Sequence, residues 1–421
     1  MSSLLEELDY LRIPYADIKA ATNNFNTRNM IQRFQFRIDE MLIVGESGYG
    51  RYDVYKGELF RFGRRIHIII EDIGYIPEEV LLKRVSVLSR FKHKNIPSFV
   101  GFFYEKYMGG YLVSECEFIE SLEQILSIAS YPEFSSKYCL DIRENLTCYH
   151  MLQICLGVAR ALSHIHDCHA IHGAFNSYRI LLDKDFEAKV VGLIKIPGSS
   201  PSIRHTCYID PVSERTDTLT LKSDVYSFGV VLIDLFCQRL AHQLRHRLDF
   251  PKFHEIKYTD FDDNICKQMN SKALTILFGT LKKCLNYECE ERPDMADVVQ
   301  QLEEASFLQW KHENPEIKIG LDDVKLATEN FTEKYLIGSG GYGKVYKAKL
   351  PIHDPFIPKK HHTVAIKHIL KDENGQGRQG FFQEIEMLRR CNHPNIVSLI
   401  DYCDEDSELI LVYEFCSKWF T

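Results

Sequence analysis

Residues 337–350 read IGSGGYGKVYKAKL. Gly338, Gly340 and Gly343 stand in the pattern Gly-x-Gly-x-x-Gly, behind Ile337 and ahead of Val345. Glycines at this spacing let backbone N–H groups approach phosphate oxygens with no Cβ in the way. Such a turn alone is weak evidence, because glycine-rich turns are common. Its surroundings strengthen it. VAIK follows at 364–367 after a polar insert, so Lys367 ends an apolar strand and can aim one cation at the turn. Glu384 lies further on in the helical stretch GFFQEIEMLRR, spaced to pair with that lysine. LILVYEF (409–415) then supplies an apolar strand with a polar exit.

The same unit occurs earlier in the chain. IGLDDVKLATENF (319–331) repeats IPYADIKAATNNF (13–25), each with apolar residues on one helix face. A glycine-rich turn follows each copy, VGESGYGRYDVYKGEL in the first. LSRFKHKNIPSFVGFF (88–103) returns as LRRCNHPNIVSLIDYC (388–403), with His93 and His393 in phase. The first copy then continues through helical patterns. YHMLQICLGVARALSHIH has one apolar face, and SDVYSFGVVLIDLF reads as a buried helix. DMADVVQQLEEAS closes the copy. The polar, proline-containing WKHENPEIKIG (310–320) reads as part of a linker.

Composition narrows the function classes. The 421 residues are 45% hydrophobic and 26% charged, which suits a soluble protein of two or three domains. A net charge of -8 argues against a nucleic-acid binder. The N-terminus is acidic where a secretory signal is basic, and no run approaches about 18 apolar residues, so no membrane span is expected. The 13 cysteines form no Cys-x-x-Cys pair and read as buried free thiols in a reducing compartment, with no metal site. The His-rich AHQLRHRLDFPKFHEIK (241–257) reads as a solvated loop.

The second copy resembles the N-terminal lobe of a eukaryotic protein kinase. Its lead-in, DVKLATENF, resembles that of plant receptor-like serine/threonine kinases. The resemblance implies an α+β fold. A bilobal protein-kinase-like unit, with a β-rich small lobe and a helical large lobe, would precede a second, incomplete kinase small lobe. It also implies an ATP site formed by Ile337, Gly338, Gly340, Gly343, Val345, Ala365, Lys367, Glu384, Glu414 and Cys416. There Lys367 would meet the α- and β-phosphates and Glu384 would anchor it. Val345 and Ala365 would touch adenine, Tyr413 would be the gatekeeper, and Glu414 to Cys416 the hinge. The chain stops at EFCSKWFT, where the family's large lobe begins. This copy is therefore expected to hold ATP weakly, with no catalytic residue, no metal ligand and no Mg²⁺.

The first copy resembles the same family over 13–306 but departs at every catalytic position. Ser47 stands for the second glycine of the loop. IIIE (68–71) puts Glu71 at the lysine position, and Arg84 falls where the helix glutamate belongs. IHGAFNSYRILLD (171–183) keeps the frame of the His-Arg-Asp loop. Yet Gly173 and Ala174 replace its Arg and Asp, and Arg179 replaces the metal-binding Asn. No acid occurs from Ala188 to Ile209. Val212 stands where a Glu would pair Arg292. Loss of a general base alone costs about 10²–10⁴ in rate. Base, metal ligands and lysine are lost together here, so no phosphoryl transfer is expected. Glu71 and Arg84 are either a charge-swapped tether or two surface charges.

The expected organisation is a lead-in helix at 1–26, a degenerate kinase domain at 27–306, a linker at 307–320 and a kinase N-lobe cut at the hinge at 321–421. The expected function is a cytoplasmic signalling scaffold with a non-catalytic first domain and an ATP-binding second one. Its partners would be receptor-like kinases or their substrates, with recruitment to the inner face of the plasma membrane through a partner. The alternative is an active serine/threonine protein kinase, should the natural chain continue past Thr421.

Overall fold

A computed structural model describes residues 7–38, 48–127, 145–199, 207–240, 253–351, 361–369, 380–388 and 393–415, apart from 315–318 and a few single positions. The loop holding Ser47, much of the insert at 350–362, most of the His-rich stretch and Cys416 lie outside the described residues. Two compact units emerge, Met1–Ser306 and Phe307–Thr421.

Among the described residues the first unit begins with helical Glu7 and Leu8, which run into a 3-10 turn, Asp9–Leu11, and after a break comes a short helix α1 (Tyr15–Ala21), so the lead-in is not one continuous helix. Its small lobe is an antiparallel sheet of β1 (Met30–Ile38), β2 (Gly48–Arg61), β3 (Arg64–Gly74), β4 (Ser98–Glu105) and β5 (Gly109–Glu115). The strand order is β1-β2-β3-β5-β4, with helix α2 (Glu78–Leu88) between β3 and β4 in sequence. The large lobe is helical. It holds α3 (Leu122–Ser127), α4 (Cys148–Asp167), α5 (Pro211–Thr216), α6 (Leu221–Phe236), α7 (Asp263–Gln268), α8 (Ser271–Cys284) and the start of α9 (Met295–Glu313). A small sheet of β6 (Glu120–Ser121), β7 (Ile180–Leu182) and β8 (Ala188–Val190) carries the loop segments between them. Every residue of α6 from Ser223 to Phe236 is buried, as its apolar run requires.

The second unit repeats the small lobe. After α10 (Leu321–Ala327) come β9 (Leu336–Gly340), β10 (Gly343–Pro351), β11 (His361–Ile369), β12 (Leu399–Glu405) and β13 (Glu408–Glu414). Their order, β9-β10-β11-β13-β12, matches the first sheet strand for strand. Helical residues between 380 and 388 take the place of α2.

The repeated lead-in has a local physical cause. In each copy three successive non-glycine residues adopt the left-handed conformation, Asn23, Asn24 and Phe25 in one and Glu329, Asn330 and Phe331 in the other. Each such residue costs on the order of 1 kcal/mol. A fully buried threonine offsets this in both. Thr22 Oγ1 donates to the Ile18 carbonyl and accepts from the Phe25 N–H, and Thr328 does the same with Val324 and Phe331. The turn delivers Phe25 onto Tyr55 and Tyr111, and Phe331 onto Tyr346 and His368.

The stretch expected as a linker is largely structured. Helix α9 continues to Glu313, and Phe307 and Trp310 are buried. Beyond it, the Ile319 N–H donates to the Tyr402 carbonyl and the Leu321 N–H to Glu405 Oε2. The polar composition concealed two large apolar side chains whose partners lie far along the chain.

Candidate nucleotide site

In the second unit β11 alternates. Val364 and Ile366 enter the core, while Ala365 and Lys367 turn to the opposite, half-exposed face. Val345 lies opposite Lys367 on β10, and Tyr413 opposite Ala365 on β13. The strand period thus gathers the expected lysine and adenine contacts on one surface. Lys367 Nζ meets Glu384 Oε2 at 2.6 Å. The Tyr413 hydroxyl donates to the other oxygen of Glu384, and burial together with that bond pushes the Tyr413 pKa up. Glu384 is therefore held from two sides. Motif spacing located the lysine and the glutamate, but nothing in it pointed to the tyrosine bond.

The glycines divide into two kinds. A side chain at Gly338 or Gly340 would meet nothing within 4 Å, so these positions leave an open flank. Gly343 has φ 143, and a Cβ there would lie 2.2 Å from the His368 carbonyl oxygen. Close approach of β10 to β11 therefore demands this glycine, whatever else it does. Ile337 is half-buried on β9. Glu414 is exposed, and its N–H donates to the Ser398 carbonyl.

The first unit has the same register with different side chains. Glu71 lies opposite Val54 and Leu112, as Lys367 lies opposite Val345 and Leu411. Ile69 lies opposite Ser114, as Ala365 lies opposite Tyr413. Ile69 is 0% exposed and shares one core cluster with Val54, Cys116 and Leu181. The surface that is half-open in the second unit is here filled by side chains.

Behind it is a buried group of charges. Glu71 and Arg179 are nearly inaccessible and Arg84 is half-buried. Burial pushes the Glu71 carboxyl from its ordinary 4.5 up to about 7, against the pull of Arg179 and then of Arg84. Burial likewise brings Arg179 down to about 10, with Glu71 opposing. No ion pair within 4.0 Å joins Glu71 to Arg84, and Glu71 Oε2 and Arg84 Nη1 have no hydrogen-bond partner. The direct tether is therefore not formed, and Glu71 is no surface charge either. Arg179, set apart in sequence only as a missing asparagine, acts on Glu71 more strongly than Arg84 does. A guanidinium at the metal-ligand position does not fit Mg²⁺.

This arrangement sets a pH dependence. A carboxyl whose pKa is raised on folding favours the fold fully below its ordinary value and loses that contribution as pH rises through the folded value. The window here runs from about 4.5 to about 7. Glu71→Gln removes the ionisation. It is expected to match the parent near pH 5 and to exceed it at pH 8 by at most about 3 kcal/mol. Urea unfolding at both pH values checks this, and a mutant less stable than the parent at pH 8 would contradict it.

The loop at 171–183 is held by buried contacts. Asp224 on α6 accepts the N–H groups of His172 and Gly173, both at 2.8 Å, and meets His166 Nε2 at 3.0 Å. His172 is buried, its pKa lowered to about 4 by desolvation, and its Nε2 lies 3.0 Å from the Val191 carbonyl. Arg292 is not stranded by Val212. Its Nη2 donates to Asp210 Oδ1 at 2.8 Å, with both side chains 0% exposed. The acid two residues before Val212 has taken the role that a glutamate would fill.

A search against protein-family models matches residues 42–302 to the protein tyrosine and serine/threonine kinase model and residues 331–420 to the protein kinase domain model. The chain belongs to the protein kinase family. Within the kinases it groups with plant receptor-like kinases. It is 31% identical over 325 residues to a probable receptor-like protein kinase of Arabidopsis thaliana, covering 71% of this chain and 35% of that protein. Against receptor-like protein kinase HERK 1 of the same plant it is 30% identical over 339 residues, 73% of this chain and 36% of the other. A match to the leucine-rich repeat receptor protein kinase EMS1, also of Arabidopsis, is 43% identical over 103 residues, 24% of this chain and 8% of the other. The chain thus spans about a third of the length of the first two relatives. Among the described residues of this chain, no helix is long and apolar enough to cross a membrane, and no cluster of metal-ligating side chains occurs.

Proposed function

We propose that this kinase-family signalling chain pairs a non-catalytic scaffold with a nucleotide-binding lobe. The first unit is the scaffold and the second binds ATP. One observation carries the reading: a single sheet position bears a buried Glu71 in one copy and a Glu384-paired Lys367 in the other. The filled adenine surface and the guanidinium of Arg179 support a first unit that holds no Mg·ATP. The half-open face, the paired lysine and the open flank at Gly338 and Gly340 support ATP in the second. There Lys367 would meet the phosphates, while Val345 and Ala365 would flank the base. Protein partners, such as a receptor-like kinase or its substrate, would read the scaffold from the cytoplasm or at the inner face of the plasma membrane.

Lys367→Ala tests the reading. The parent is expected to show a thermal shift with millimolar ATP. Loss of one charge-assisted contact is expected to weaken binding by about 10- to 100-fold and to abolish that shift. An ATP shift of the parent that survives in Lys367→Ala would place the nucleotide elsewhere. The assembled Lys367–Glu384 pair also favours a second reading. In it, residues beyond Thr421 complete the second unit as an active serine/threonine kinase. Autophosphorylation by a longer natural chain, lost in Lys367→Ala, would establish it.

A further inference from the structure

We propose that Phe307 and Trp310, near the end of α9, are positioning residues for the second unit's nucleotide site. They hold the helix that carries Glu384 in the place where it meets Lys367. This rests on the reading of that unit as a nucleotide-binding lobe.

The contacts are extensive and local to the unit. The Phe307 ring stacks on Phe382 with centroids 3.9 Å apart, and presents its edge to Phe381 at 6.0 Å and to Tyr402 at 5.9 Å. Trp310 lies 5.1 Å from Tyr402. Phe381 and Tyr402 are 0% exposed, and Phe307 and Trp310 nearly so. Lys311 Nζ meets Asp404 Oδ2 at 3.3 Å, which fixes the following turn to β12.

Position along the helix gives these rings their leverage. Phe381 stands three residues before Glu384 and Phe382 two, and Ile385, also buried, lies four and three residues after them on the face they share. Residues three and four apart share a helix face. Clamping the two phenylalanines against Phe307 and Tyr402 therefore fixes the rotation and the axial position of Glu384. A 2.6 Å ion pair to Lys367 tolerates little change in either.

The first unit shows the same device built from other residues. Leu81, Leu82, Val85 and Phe102 occupy the repeat positions of Phe381, Phe382, Ile385 and Tyr402. They share one core cluster with Leu8 and Leu11, which also lie upstream of the lobe. Each lobe thus has its helix and fourth strand covered by a preceding apolar segment. Where the ion pair has been lost the cover is two leucines, and where it persists the cover is an aromatic cluster.

The test uses the full chain with four single substitutions. Phe307→Ala and Trp310→Ala remove the clamp, and Trp310→Phe restores a ring. Val324→Ala, in the same unit's core, controls for lost stability alone. ATP affinity is read by calorimetry at low temperature. Lys367 is read without nucleotide, by mass spectrometry after brief exposure to an amine-acylating reagent. The expected result is about tenfold weaker ATP binding and severalfold faster Lys367 acylation in the two alanine variants, recovery with Trp310→Phe, and neither effect in Val324→Ala. Should Phe307→Ala not fold, Phe307→Leu keeps the burial without the stack and gives the same reading. Unchanged Lys367 acylation in the clamp variants, or an equal change in Val324→Ala, would overturn the proposal. A parent that binds no ATP, but in which Lys367 is shielded and the clamp variants expose it, would sink the nucleotide reading and uphold the clamp.

Discussion

Glu71→Lys, which restores the residue the family carries, is expected to destabilise the first unit by about 3–5 kcal/mol and to create no ATP site. Glu71 is the acid whose charge supports both Arg84 and Arg179. A lysine there faces two bad outcomes. Kept protonated, it places a third cation beside Arg179 and Arg84 where burial already disfavours charge, at a cost of about 3–5 kcal/mol. Shedding its proton costs a similar amount at neutral pH, at about 1.4 kcal/mol per pKa unit below a starting value near 10. The adenine surface stays filled in either case, because Ile69, Val54, Cys116 and Leu181 are untouched. Urea unfolding and an ATP thermal shift measure the two halves of the prediction. Nucleotide-dependent stabilisation of the first unit by Glu71→Lys would show that one residue had closed that site. Glu71→Gln and Glu71→Lys should thus move stability at pH 8 in opposite directions, which a site indifferent to charge would not do.

Arg292→Ala is expected to cost about as much, about 3–5 kcal/mol, by a different route. Arg292 is fully buried, and each part of its guanidinium group is engaged. Nη2 donates to Asp210, Nε to the Asn286 carbonyl at 2.7 Å and Nη1 to the Lys222 carbonyl at 3.0 Å. Its plane lies over the Tyr226 ring at 5.1 Å. Burial by itself would raise the Asp210 pKa. Arg292, the Val212 N–H and the Ser213 hydroxyl together hold it below its ordinary value. Truncation leaves that carboxylate buried beside a cavity. Replacing both partners by apolar residues should cost less than the sum of the two single changes, because neither charge is then left alone. A loss below about 1 kcal/mol for Arg292→Ala would mean that solvent reaches the pair.

Much of the fold and of the second unit's candidate site was legible in the residue order. The repeat is carried by short-range features: a threonine-capped left-handed turn, alternating strands and glycines where backbones approach. Lys367 and Glu384 were legible because strand period and helix spacing fix which residues face each other. What escaped were pairings set by tertiary geometry. Arg292 found an acid two positions from where spacing placed one. Glu71 and Arg84 look complementary as letters, yet the strand turns Glu71 as much toward Arg179 in the other lobe. The stretch after Ser306 looks polar on average. Its partners for Phe307 and Trp310 are more than 70 residues away, where no window over the sequence connects them.

That stretch bears on how such a chain can be divided. The family match of the second unit begins at residue 331, whereas its aromatic flank is covered from Phe307 onward. A fragment cut at the family boundary would leave Phe381, Phe382 and Tyr402 bare, and exposed apolar clusters of this kind drive association. A cut within 295–313 would sever a single helix. The second copy is therefore not a cassette that can be moved at its homology border. Whatever carries it to a new gene must bring along residues that, by sequence, look like the end of its neighbour.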